Sequence, residues 1–256
     1  MTIIFYDIPS TLPENAWSLN TWKVRYCLNY KGIAYRTEWV EYPDIESHCK
    51  KLGIKPTDKR DDGSDEYTLP AIHDPSTGVY LAESILIADY LDKTYPDTPP
   101  VLPAHTLGLQ VAFVEAFGNS LKGLAGFILP NVCSALNPPS MQYFRRTREA
   151  AFGKKLEDLV PQGETAVQKW ATFKESLGKA DSWYATMDSK LEGELKNTQF
   201  LMGDTLSFAD INIAGYLIWL RIVWGEDNER WQEMLTWHGG RWKGLMEKLK
   251  KYETVV

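Results

Sequence analysis

Ser18 stands between Trp17 and Leu19, where an apolar run, Ile3–Tyr6, and two prolines, Pro9 and Pro13, give way to a stretch of helical period. A helix start leaves its first backbone N–H groups unpaired and carries a partial positive charge. A serine hydroxyl at that point either caps the helix or holds something anionic against it. Asn20 offers a similar choice: it caps the helix, or it helps hold the loop and its ligand. A second constellation is Glu83–Ser84 in "LAESIL", at a strand-to-helix junction. A hydroxyl with helix N–H groups suits a carboxylate, and a neighbouring glutamate suits an ammonium. Together they would hold the zwitterionic end of an amino acid, unless Glu83 or Ser84 merely caps its own helix. The third is Leu69–Pro70 in "TLPAI". A proline there donates nothing to a sheet and belongs at an edge or bend, and X–Pro bonds are where cis peptides occur. A cis bond would turn the Leu69 backbone outward, open to pairing with a peptide; a trans bond would leave Pro70 an edge residue.

These residues need elements to position them. Ile3–Tyr6 reads as a buried strand, Asn20 to Lys31 as a helix closed by Gly32, and Ala34 to Tyr42 as a half-buried strand. A short helix is expected from Asp44 to Leu52. Lys55 to Glu66 has no apolar residue except proline and must be an exposed loop. "YTLPAIHD" and "VYLA", separated by "PSTG", read as a hairpin, and Ser84 to Lys93 as a helix. The order is βαβ–α–ββα around a four-stranded mixed sheet. Tyr95 to Pro103 carries four prolines in nine residues and reads as a linker. Beyond it the period is helical throughout, with expected helices at Leu107–Leu129, Tyr143–Leu159, Val167–Leu195, Phe208–Val223 and Trp231–Tyr252. The expected domains are therefore 1–95, α/β, and 107–256, all-α, joined by a Pro-rich linker at 96–106. Within the second, "TLSFADI" reads as a folding motif. Ser207 is the N-cap, Asp210 the third helical position, and Leu206 packs toward Ile211 as a hydrophobic staple.

Composition narrows the function. With 28 basic and 34 acidic residues and a net charge of −6, the chain lacks the footprint of a nucleic-acid binder. The three cysteines are scattered and the four histidines supply no metal-ligand spacing, so no metal is expected and a reducing compartment fits. Cys27 lies inside a helical pattern and reads as core, and His48 and His73 as packing or surface residues. The start "MTIIFYD" has no basic, cleavable signature, and the most apolar stretch, Ile211 to Leu220, is too short to span a bilayer. A cytoplasmic protein without membrane contact is the expectation. Ten tryptophans suit both a large core and pockets for flat ligands.

The "LP" that opens the third strand, the "ES" that opens the last helix of the first half, the all-α second half and its "SFAD" box resemble the cytosolic glutathione transferases over nearly the whole chain. The start "SLNTWKVR" is similar to the "S-x-x-x-W-R-V-R" of their serine-type classes, with Lys23 in place of the usual arginine. The "WSxNTWK" setting and the Lys55–Glu66 insertion resemble fungal members related to bacterial β-etherases. The resemblance implies a thioredoxin-like first domain and Ser18 as the catalytic residue that activates the thiolate of glutathione, the cosubstrate. It implies that Asn20, Leu69, Pro70, Glu83 and Ser84 bind that tripeptide, Leu69 pairing with the cysteinyl unit and Glu83–Ser84 with the γ-glutamyl end. Trp17, Trp22, Phe113, Phe117 and Asn119 are then candidates for a hydrophobic, aromatic second-substrate site between the domains. The implied function is detoxifying attack on aromatic electrophiles or aryl ethers by a homodimer, the alternative being a ligandin that sequesters phenolic compounds. Tyr6, inside the first strand, is the competing thiol donor.

Overall fold

The computed structural model describes residues 2–121, 123–188 and 199–256. Strand β1 (Ile3–Asp7) lies at the centre of a four-stranded sheet of order β2-β1-β5-β6. It runs parallel to β2 (Tyr35–Trp39), with Ile3 opposite Tyr35, and antiparallel to β5 (Ala71–Asp74), with Phe5 opposite Ile72. β6 (Val79–Ala82) closes the hairpin with β5 in antiparallel register. A parallel pair needs a crossover. Helix α1 (Leu19–Lys31) supplies it and stops at Gly32, whose φ of 66° reaches the left-handed region open to glycine. The α2 helix (Ile45–Leu52) and α3 (Ser84–Thr94) complete this layer. The strand expected up to Tyr42 ends at Trp39, because Tyr42–Asp44 form a 3-10 turn around Pro43. The Lys55–Glu66 loop folds back as a small ribbon of β3 (Asp58–Lys59) and β4 (Asp65–Glu66).

α1 shows how the halves join. Its buried residues include Trp22, Val24, Cys27 and Leu28, and also Lys23 and Arg25, so it is covered on nearly every side. One cover is the sheet; the other is α8 (Phe208–Trp224). The two helices approach closely at Gly215, where a Cβ would stand 2.9 Å from the Leu19 carbonyl oxygen. Arg25 survives burial by an ion pair with Asp7 at 2.7 Å, both side chains fully inaccessible. The rings of Phe5, Trp22, Tyr35 and Trp39 stand 5.0–5.8 Å from its guanidinium. Desolvated charges persist only when paired in this way.

The helical half comprises α4 (Leu107–Ser120), α5 (Ala125–Ala135), α6 (Pro138–Phe152), α7 (Gly163–Asp188), α8, α9 (Glu229–Thr236) and α10 (Arg241–Leu249). The single helix expected over Leu107–Leu129 is broken near Gly123, whose φ is 87° and whose missing Cβ leaves room for the Lys169 carbonyl. α6 starts five residues before the expected Tyr143, with proline in its first turn, and stops at Gly153. The expected helix Trp231–Tyr252 is interrupted at His238, Gly239 and Gly240, all at positive φ. Residues 189–195 of the expected Val167–Leu195 helix lie outside the described residues. At the head of α8, Asp210 accepts hydrogen bonds from the Ser207 N–H and hydroxyl, the Tyr184 hydroxyl and the Leu201 N–H, all at 2.8–2.9 Å. Two further N–H groups of that helix start, of Phe208 and Ala209, donate to the Val101 carbonyl and to Gln110, so the buried helix end draws its partners from separate segments of the chain.

Candidate active site

Ser18 is the residue before the first turn of α1, with extended backbone at φ −70° and ψ 128°. Its carbonyl accepts the Trp22 N–H and the Thr21 hydroxyl, each at 3.0 Å. Its own hydroxyl makes no capping bond. The side chain instead borders a cavity of ≈ 170 Å³ with Ile8, Asn20, Tyr42, Leu69, Tyr143 and Arg148 among its walls. A smaller cavity of ≈ 110 Å³ is lined by Lys23, Pro70, Glu83, Ser84, Val114 and Phe208. Asn20, Thr68 and Leu69 border both, so the two cavities are neighbouring sections of one groove. Ser18 lies at one section and Glu83–Ser84 at the other.

The Leu69–Pro70 bond is cis. Among the described residues Leu69 finds no backbone hydrogen-bond partner in the sheet or loops, which leaves its peptide groups free along the groove. Glu83 holds a φ of 79°, a costly conformation for a residue with a side chain, and its side chain does not cap α3. The Ser84 hydroxyl donates to the Glu83 carboxylate at 3.3 Å. Neither residue is used up in capping its helix. Asn20 does not cap α1 either: its side-chain oxygen accepts from Lys23 Nζ at 3.0 Å.

Lys23 is the main charge beneath this end of the groove. Burial pushes its ammonium down to about 8, partly opposed by Glu83. Its Nζ lies over the Tyr216 ring, 5.4 Å from the ring centre. A buried lysine beside a glutamate, a serine hydroxyl and helix N–H groups gives this section donors for a carboxylate and an acceptor for an ammonium. At the other section Tyr42 stacks on Tyr143, with centroids 5.7 Å apart and planes 10° from parallel. Burial pushes the Tyr42 phenol up to about 12, so it stays protonated. Arg60, from the β3–β4 ribbon, also faces this cavity and is tied to Glu46 at 2.9 Å.

The other residues singled out in the sequence sit elsewhere. Trp17 is buried behind the cavity, 6.3 Å from Tyr42. Trp22 is buried in α1 and borders a different cavity, of ≈ 640 Å³, with Leu12, Pro13, Ile218 and Ile222. Phe117 is fully buried, Phe113 packs on Trp183, and Asn119 is exposed near the end of α4. None of the five borders the Ser18 cavity. Tyr6 is buried against His48, burial pushes its phenol up to about 12, and it lines neither section of the groove. Cys27 is fully buried, and burial raises its thiol well above the reactive range. Lys23, Tyr42, Arg60, Tyr143 and Arg148 were not among the sequence candidates for the site. Only Lys23, adjacent to the serine motif, had a local signal; the others arrive from distant segments.

Among the described residues no group of histidine, cysteine or carboxylate side chains is arranged to hold a metal ion. No described helix is long and apolar enough to cross a membrane.

Comparison with known proteins gives the family. Residues 17–94 match the glutathione S-transferase N-terminal domain and residues 108–252 the C-terminal domain. The chain is 33% identical to the glutathione S-transferase-like protein ustS of Aspergillus flavus, over 94% of this chain and 87% of that protein. It superposes on the glutathione S-transferase CsGST63524 of Ceriporiopsis subvermispora, solved in complex with glutathione, with a TM-score of 0.93 and 45% identity over 100% and 99% of the two chains. For the glutathione transferase GSTFuA2 of Phanerochaete chrysosporium the TM-score is 0.91, with 43% identity over the full length of both. A thioredoxin-like sheet joined to a helical half, matched by both domain families along almost its whole length, makes this chain a member of the glutathione S-transferase family.

Proposed function

We propose that the protein is a serine-type glutathione transferase that binds glutathione in the groove between Glu83–Ser84 and Ser18 and activates its thiol through the Ser18 hydroxyl. The observation that carries this reading is the uncommitted hydroxyl of Ser18: it sits at a helix start, caps nothing and borders the groove. The γ-glutamyl end fits the section holding Lys23, Glu83 and Ser84, and the cysteinyl unit would pair with the free backbone of Leu69. The glutathione complex of the Ceriporiopsis relative supports the choice of cosubstrate.

The chemistry follows from charge. A free thiol ionises near ~8.5, so only a few per cent is thiolate at neutral pH. A hydroxyl donating to the sulfur, at the positive end of a helix, favours the anion. The thiolate then attacks an electrophilic carbon of an aromatic substrate, forming the C–S bond as the leaving group departs with the bonding pair; with an aryl ether the leaving group is an alkoxide or phenoxide. Ser18 keeps its own proton throughout. The stacked Tyr42 and Tyr143 give this section a flat wall suited to aromatic rings. Detoxification of such compounds in the cytoplasm is the role this reading gives the protein.

The test is a pH titration of thiolate absorbance for glutathione bound to wild type and to Ser18→Ala. A bound thiol that ionises below its free value in wild type and reverts in the variant supports the reading; coincident curves with glutathione still bound refute it. A second reading, a ligandin for phenolic or hydrophobic compounds, rests on the wide cavity beside Trp22, where Leu12, Pro13, Ile218 and Ile222 share the walls with Glu14, Arg221, Glu226, Lys250 and Glu253, and which lies apart from Ser18. A dimer is part of either reading. α3 and α4 leave Leu86, Leu109 and Val111 exposed, and we assign the homodimer contact to those helices.

A further inference from the structure

Arg148, on the third turn of α6, has no carboxylate to neutralise it among the described residues. The neighbouring acids are committed: Glu149 and Glu157 both bind Arg145, at 3.0 and 2.8 Å. Across the cavity, Glu46 is held by Lys50 and Arg60. Glu66 is the remaining carboxylate on the cavity wall, and no ion pair joins it to Arg148 among the described residues. What Arg148 does touch is neutral: the Thr147 hydroxyl at 3.3 Å, the face of Phe144 at 4.9 Å, and the phenol of Tyr42, which its charge and hydrogen bond partly counter against burial. Half-buried beside aromatic rings, the guanidinium keeps donors free toward the cavity that Ser18 shares.

Two features of that cavity bear on its occupant. Tyr42 and Tyr143 form one parallel stack, the wall a planar ring would lie against. The volume of ≈ 170 Å³ is of the order that takes up a single benzene-sized ring. A planar guanidinium beside an aromatic wall is the arrangement that pairs with a carboxylate or phenolate carried on a ring.

We infer that Arg148 is a specificity-determining residue: it selects second substrates whose aromatic ring carries an acidic oxygen, a carboxylate or an ionised phenol. This rests on the transferase reading for its context, since it places the ring beside the thiol at Ser18, but anion selection itself does not require turnover. Glutathione offers the same chemistry through its glycyl carboxylate, so the test must separate the two sources.

The experiment is calorimetric titration of the full-length protein with 4-nitrobenzoate and with its uncharged isostere 4-nitrobenzamide, in the absence and presence of saturating glutathione. Wild type is expected to bind the carboxylate about tenfold more tightly than the amide, with glutathione present. Arg148→Met should reduce that ratio to near one, Arg148→Lys should keep a part of it, and Lys154→Met, which changes an exposed cation away from the cavity wall, should keep all of it. Thermal unfolding of each variant checks that it folds, and the lysine variant carries the test if the methionine variant does not. Equal binding of the two probes by wild type, or a preference that survives Arg148→Met, overturns the inference. So does a preference seen only without glutathione, because the guanidinium would then be holding the tripeptide's own carboxylate. Titration with glutathione alone reads the transferase proposal separately: failure to bind it removes that proposal and leaves the ratio for the nitrobenzoate pair to decide the role of Arg148.

Discussion

Replacing Ser18 by alanine removes one oxygen and, because that hydroxyl does not cap α1, should cost the fold little. Its effect falls on the bound thiol. A hydrogen bond to a charged acceptor contributes about 1.5–3 kcal/mol, and a pKa unit corresponds to ~1.4 kcal/mol. Taking ~2 kcal/mol, the serine lowers the bound thiol by about one and a half units, from ~8.5 to ~7. At about pH 6.5 the thiolate fraction would then be ~24% in wild type and ~1% in the variant. Thiolate fraction is only half of the rate, since a more basic thiolate is a better nucleophile with a Brønsted slope of about 0.4–0.5. Over one and a half units that returns roughly fivefold to the variant. The net deficit in kcat/KM is therefore about fivefold near pH 6.5, vanishes near pH 8, and reverses in sign above it. The assay is a pH profile of kcat/KM for both proteins with an aromatic electrophile such as 1-chloro-2,4-dinitrobenzene, at fixed ionic strength. A deficit that stays constant across the profile would mean that Ser18 positions glutathione without tuning its thiol. An unchanged profile would remove Ser18 from the chemistry altogether.

Three further outcomes follow from the same structure. Asp210→Ala strips four hydrogen bonds from a fully buried helix start, and we expect a loss of about 3–5 kcal/mol, seen as a lowered midpoint in chemical denaturation; retention of wild-type stability would show that the box is redundant. Lys23 releases its proton at about 8 in the folded chain and at 10.5 in the unfolded one, so between those values the unfolded chain binds more protons and stability rises with pH. Lys23→Met should remove that rise and weaken glutathione binding; denaturation midpoints at pH 7 and 10 with the same pH dependence in both proteins would contradict it. Leu109→Glu together with Val111→Glu should shift the protein to monomer in analytical ultracentrifugation, whereas an unchanged sedimentation coefficient would move the dimer contact off α4.

Much of the fold was legible in residues because the signals are local. A two-residue period, a helical period, a glycine at the close of α1 and four prolines in a row of nine each report on backbone within a few positions. The same holds for the box at Ser207 and Asp210, whose partners lie three residues apart. Boundaries failed where tertiary contacts overrode periodicity: an apolar pattern ran on through Gly123, but the chain must turn there beneath Lys169.

The candidate site divides along the same line. Ser18, Leu69–Pro70 and Glu83–Ser84 stand out in the sequence because each marks the start of an element, where backbone groups are left open to a ligand. Whether such a residue caps its own helix is not written in its neighbours. It depends on which side-chain oxygen finds a partner, and only the folded chain decides that for Ser18 and Glu83. The walls of the cavity were harder still. Tyr42, Arg60, Tyr143 and Arg148 come from a 3-10 turn, a ribbon and a helix spread over a hundred residues, and nothing local distinguishes them from other surface tyrosines and arginines. Conversely, aromatic side chains near the serine, Trp17 and Trp22, turn into the core because burying a large ring stabilises more than exposing it at a cavity mouth. The sequence by itself determined the elements, their order and the three places where the backbone could open to a ligand. The packing of α8 on α1 and of α6 over the 3-10 turn at Tyr42 decided which side chains meet there, since contact across the fold is set by packing rather than by spacing along the chain.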